Sequence, residues 1–296
     1  MVRVQWLGLD DLGRRLPYRR MKLPLAFLTG PWKLAMGLNA LDLADWLWVD
    51  EHFAVETAER AALLATRPEL VCAMLPEARP AVTELLAMVR QHLGLAPDHA
   101  SDLAALATLA QEDFCVMQAQ ADGRYALTAA LLCFPAHWRL AEKLGRTMGE
   151  IHAPVPGFNA RLGAPADRFF TNLMPERPVW RANWSVVESP ALFHPQAREP
   201  LADLTAEDAG QRLWLRIERQ TLRRLPRTLA VVFTIRTVVR RLDGIAAEPG
   251  IAAALAQRLR ELEPGMARYK GMPALGQPLL SYLDRVAQQD ATAARQ

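Results

Sequence analysis

The chain has 296 residues, of which 51% are hydrophobic, 23% charged and 7% aromatic, a balance that supports a sizeable core and excludes a disordered tail. Thirty-five Lys and Arg against 32 Asp and Glu leave a formal charge of +3, with basic and acidic residues interleaved as in EHFAVETAER and RLRELE, so no nucleic-acid partner is indicated. No run reaches the ~18 apolar residues of a membrane span, the opening MVRVQWLGLDDLGRR has acidic residues where a secretory leader needs an apolar centre, and three separated cysteines (Cys72, Cys115, Cys133) offer neither a disulfide framework nor cluster spacing; together these predict a cytoplasmic protein.

From about Ala54 to Leu95 the apolar residues recur at helical spacing, with Pro76 and Pro80 dividing two runs. The pattern then changes. DFCVMQAQ, a turn at Ala121-Asp122-Gly123 and RYALTAALLCF predict a β-hairpin. After Pro135, HWRLAEKLGRTMGEIH reads as a helix that places Ala141, Gly145, Met148 and His152 on one face and that Pro154 and Pro156 end. Three extended runs follow, PVWRANWSVVES, RLWLRIERQTL and TLAVVFTIRTVVR, the last two joined by the short connection 223–227 and predicted to pair antiparallel. Ile251 to Glu263 reads as an amphipathic helix between Pro249 and Pro264. This order predicts an α+β chain: a mainly helical segment over 1–110, a five-stranded antiparallel sheet with a helical connection over 111–245, and a helical segment over 246–296, integrated in one domain. Two strands, a helical excursion and three strands resemble a PAS fold.

Common catalytic signatures are missing from the sequence. There is no Gly-x-Gly-x-x-Gly after a strand, no phosphate loop, no His-Glu-x-x-His and no Gly-x-Ser-x-Gly elbow. Histidine and arginine remain. His152 ends the predicted central helix on the face of Gly145, where a small residue lets a flat ligand approach; it is either a metal ligand, as imidazole is for haem iron, or a helix-capping side chain. His137 is the alternative ligand, although its place at a helix start also suits capping. His52, His92, His99 and His194 lie in polar or loop contexts and read as surface residues. In the strand from Leu213 to Leu222, Trp214, Arg216, Glu218 and Gln220 share one face while Leu213, Leu215 and Ile217 share the other. In RANWSVV, Arg181 and Asn183 are in phase, with Trp180 and Trp184 opposite. Guanidinium forks suit carboxylates such as propionates, and a half-buried carboxylate favours an ammonium partner.

The blocks MGLNALDLADWLWVD, AQEDFCVM, LCFPAHWRLAEKLGRTMGEIHAPVPG, VWRANW and LRIERQTLRRLPRTLAVVFTIRT, in order from about Met36 to Thr237, resemble the haem-dependent oxidative N-demethylase family. Beyond Leu242 no family motif is recognisable. The resemblance implies a PAS-like subunit that binds haem b, uses dioxygen to oxidise the N-methyl group of a small amine, and receives electrons from a separate reductase carrying flavin and an iron–sulfur cluster. It also implies His152 as axial ligand, Glu218 as the residue holding the amine nitrogen, and Arg219 with Arg223 or Arg224 facing propionates or the partner surface. In a regular strand Arg219 points away from Glu218, so the two line one pocket only if a bulge intervenes. The rival readings are a haem-binding sensor without turnover and a haem-free interaction module.

Overall fold

A computed structural model describes residues 23–30, 32–97, 102–196, 201 and 203–293; the N-terminal stretch weighed above as a leader, and His99, lie outside them. Among the described residues seven strands form one antiparallel sheet: β1 (Asn39–Ala40), β2 (Cys72–Met74), β3 (Asp113–Ala119), β4 (Tyr125–Leu131), β5 (Val179–Val187), β6 (Trp214–Arg224) and β7 (Val231–Arg241), in the spatial order β1-β5-β6-β7-β3-β4-β2. The expected five-stranded sheet is therefore seven-stranded, because β1 and β2, of two and three residues, join its two sides. The β3–β4 hairpin forms as its turn chemistry predicts, with Gly123 at φ +82° and Asp122 accepting from the Arg124 backbone N–H. The β6–β7 connection is 225–230, and both Arg227 N–H and Thr228 N–H donate to the Glu84 carboxylate, which satisfies a loop that would otherwise carry unpaired donors.

Alternate residues of the sheet meet different layers. On one face Phe114, Val116, Val232, Ala129 and Leu131 pack against helices α1 (Phe53–Thr66) and α3 (Arg79–His92), while α2 (Pro68–Val71) and α4 (Leu106–Leu109) are short turns beside them. In α3 the buried residues Ala81, Val82, Leu85, Leu86 and Val89 make one stripe, and Pro80 sits in the first turn, where its missing N–H costs nothing. The same face at Trp184, Val186, Leu215 and Ile217 packs against α7 (Ala209–Arg212), α8 (Leu242–Ala246), α9 (Ile251–Arg260), α10 (Pro264–Tyr269) and α11 (Met272–Ala293). Among the described residues no helix is long and apolar enough to cross a membrane.

The opposite face carries Cys115, Met117, Leu127, Leu222 and Ile235, covered by Leu140, Met148, Ile151, Phe170 and Leu173 of the long β4–β5 connection. That connection differs from the continuous helix expected over 137–152. A 3₁₀ turn at Leu140–Glu142 is followed by Gly145 at φ +76° and only then by the single-turn helix α5 (Met148–Ile151); α6 (Ala164–Asn172) comes later. Gly145 donates its N–H to the Leu127 carbonyl at 2.7 Å and Leu127 donates back to Arg146, so the stretch runs beside β4. Gly145 and His152 thus do not share a helical face. Cys115 and Cys133 are buried and Cys72 is half-buried; burial raises all three thiols, Cys72 to about 11 and Cys133 to about 12.

Candidate functional site

The phase read from the sequence gives the sheet one polar row. Cross-strand register sets Arg181 opposite Gln220, Asn183 opposite Glu218 and Ser185 opposite Arg216, and the pairing of β5, β6 and β7 runs through this region without a shift. Glu218 is the hub. Its Oε2 accepts from Asn183 Nδ2 at 3.3 Å and from Gln220 Nε2 at 3.0 Å, and its Oε1 lies 3.5 Å from Arg216 Nε. The Glu218 side chain keeps 15% of its exposure and the Arg216 side chain 2%, so the carboxylate is the partly open member of an ion pair held at its back by the sheet. Arg216 is fixed further by donating to the carbonyls of Phe134 (2.6 Å) and Leu192 (3.2 Å).

Beside the row stand Arg181 and His152. Burial lowers the Arg181 pKa while Glu218 supports its charge, and Arg181 Nε is buried without a hydrogen-bond partner. His152 caps the C-terminus of α5, stacks on Phe158 with centroids 4.4 Å apart, and its Nδ1 lies 3.0 Å from the Met148 carbonyl. A carbonyl accepts only, so Nδ1 carries the proton and Nε2 keeps its lone pair. Burial holds the His152 pKa below its ordinary value; the Met148 bond works the other way, and the charges of Arg181 and Lys143 lower it further. The capping box of α5 fixes the approach of this histidine: Thr147 Oγ1 accepts from Glu150 N–H and Glu150 Oε2 accepts from Thr147 N–H at 2.8 Å.

The remaining expected residues fall elsewhere. With no bulge present, Arg219 lies on the other face, 4.1 Å over the Trp48 ring and donating to the carbonyls of Asp45 and Trp46; Arg223 lies 4.4 Å over the Trp46 ring. Arg224 is on the polar row's side but donates to the carbonyls of Phe170, Thr171 and Leu173 at the end of α6. Gly145 is exposed in its turn, and His137 is turned to His194, with ring centroids 4.7 Å apart. Arg216 and Gln220, the hydrogen-bond partners that orient Glu218, share its strand face in the sequence's alternation. Two shallow surface concavities of about 480 and 520 Å³ are lined by 240–248 with Leu23 and by 285–293, and neither includes a residue of the polar row.

Fold and site together define an α+β protein that presents a half-buried carboxylate, amide and guanidinium row to the chain segment covering one sheet face. The family described as haem-dependent oxidative N-demethylase, alpha subunit-like, matches residues 37–96 and 94–280, and the chain belongs to it. The match runs through α8 to α10 and into α11, where the sequence showed no family motif.

Proposed function

We propose that this chain is the haem-binding catalytic subunit of an oxidative N-demethylase acting on a small methylated amine, with dioxygen as oxidant and electrons delivered by a reductase carrying flavin and an iron–sulfur cluster. The observation that carries the reading is a chain of groups within electrostatic reach of one another on the covered sheet face: an imidazole with Nε2 open, the Arg181 guanidinium with an unpaired buried Nε, and the half-buried Glu218 carboxylate. The order of the five long strands, two before the helical excursion and three after it, supports the PAS-like description.

The donor set fits haem b. His152 would hold the iron through Nε2, since its Nδ1–H is committed to Met148, an arrangement that fixes the tautomer and raises ligand basicity. Arg181, with Nε unsatisfied, would pair with a propionate. Bound haem supplies the dioxygen chemistry. The chain's own groups supply orientation and charge. Glu218, backed by Arg216 and held by Asn183 and Gln220, receives the ammonium form of the amine, because a partly desolvated carboxylate favours a cation within hydrogen-bond reach. The reaction balances as R–NH–CH₃ + O₂ + 2H⁺ + 2e⁻ giving R–NH₂, formaldehyde and water, with the electrons supplied by the reductase.

Haem titration of the purified chain, followed by formaldehyde release with dimethylamine, dioxygen and an artificial reductant, tests the reading. The wild type is expected to give a Soret band that shifts with amine. His152→Ala is expected to lose haem, and Glu218→Gln to keep it while losing the amine-induced shift and at least about a hundredfold in kcat/KM, the effect of removing a charged orienting group. A chain that takes up no porphyrin, or a Glu218→Gln variant with wild-type kcat/KM, overturns it.

A further inference from the structure

His137, Glu188 and His194 stand apart from the row just described. Their ligand atoms lie within 4.8 Å of one another, His194 Nε2 is 4.0 Å from Glu188 Oε1, and the side chains of Glu188 and His194 are 8% and 23% exposed. The backbone brings them together by a local clamp. His137 N–H donates to the His194 carbonyl at 2.8 Å and His194 N–H donates to the Pro135 carbonyl at 3.1 Å. His137 itself is held at φ +57°, in the left-handed region that few non-glycine residues occupy. Its Nδ1 lies 3.0 Å from the Gln196 carbonyl, so Nδ1 bears the proton and Nε2 is the donor atom.

We propose that His137, His194 and Glu188 form a binding site for a zinc-class divalent cation. Two imidazoles and one carboxylate are a recurrent donor set for zinc, leaving a fourth position for water, and the carbonyl behind His137 is the outer contact that such ligands ordinarily have. Metal–ligand bonds of about 2.0–2.2 Å place donors roughly 3.3 Å apart, so side-chain rotation of about an ångström closes the set. The ion would tie the segment after β4 to the segment after β5. Arg216 contacts those same segments through the Phe134 and Leu192 carbonyls and so links them to Glu218. This site does not depend on the haem reading.

Chelator-stripped full-length protein is titrated with Zn²⁺ against a chromophoric chelator, and thermal unfolding is followed with and without the ion. One Zn²⁺ per chain and an upward shift of the melting temperature are expected, with affinity reduced about 100-fold or more in His194→Ala and Glu188→Gln, since even outer-shell losses at metal sites reach 10–100-fold. His152→Ala is expected to bind as the wild type does. Should His194→Ala fail to fold by circular dichroism, Glu188→Gln and His137→Gln decide. No uptake by the wild type, or undiminished uptake by Glu188→Gln, overturns the proposal.

Discussion

Replacing Arg236 by Met removes the cation that serves two buried carboxylates, Asp50 at 2.7 Å and Glu56 at 2.8 Å, both also held by Gln111 Nε2. An abandoned buried charge costs more than the pair contributed, so Arg236→Met is expected to lose about 3–5 kcal/mol, read from the shift of the urea midpoint. The histidine beside the polar row gives a second prediction at this scale. His152 is held below its ordinary pKa of 6.5, so the unfolded chain binds a proton that the folded chain resists. The associated stability is complete above about pH 6.5 and is lost as pH falls through that value toward the folded pKa. Urea unfolding of the haem-free protein between about pH 5 and 7.5 is expected to show this loss in the wild type and to lack it in His152→Gln; parallel curves refute the assignment.

Among the elements, α5 has the clearest test, because its four residues place the candidate ligand. Thr147→Ala removes the capping-box acceptor and is expected to cost about 1 kcal/mol, together with a weakened haem affinity that a surface cap elsewhere, such as Asp42→Ala, leaves alone. Thr147-x-x-Glu150 is a capping signature that the sequence displays openly, and it marks a helix start at Met148. The apolar period of HWRLAEKLGRTMGEIH masked it, since periodicity does not register that Gly145 adopts a positive φ and stops the run. The long strands were legible because apolar and β-branched runs of strand length are bounded by turn residues, with alternation added in β5 and β6. β1 and β2 were not, being too short to show a period. The helix α11 lies in the 246–296 segment expected to be helical, but its start carried no signal, since Pro273, Gly276 and Pro278 are breakers that the burial of Leu275, Leu279, Tyr282 and Leu283 overrides.

For the whole molecule, the sheet has apolar cover on both faces, and the polar row interrupts it on the face under the β4–β5 connection. That contrast follows from strand phase, so Glu218, Asn183 and Arg181 could be chosen from the sequence, and so could the separation of Arg219 from Glu218. The grouping of His137 with Glu188 and His194 could not be, since it joins positions about fifty residues apart through contacts between two loop segments. Nor could the cation–π contacts of Arg219 with Trp48 and of Arg223 with Trp46, which join the sheet to the segment before α1. The buried sulfurs turn the folded chain into its own chemical stopwatch. Disulfide reagents are attacked by thiolate, with release of the reagent's other half as a thiolate, and Cys115 and Cys133 scarcely form thiolate while shielded, so labelling at neutral pH waits for the structure to open. Ellman's reagent is expected to modify those two slowly in the intact protein and about a hundredfold faster or more after Arg236→Met, each 1.4 kcal/mol being worth tenfold. Prompt modification of both in the wild type would show that breathing, not burial, governs access to the interior.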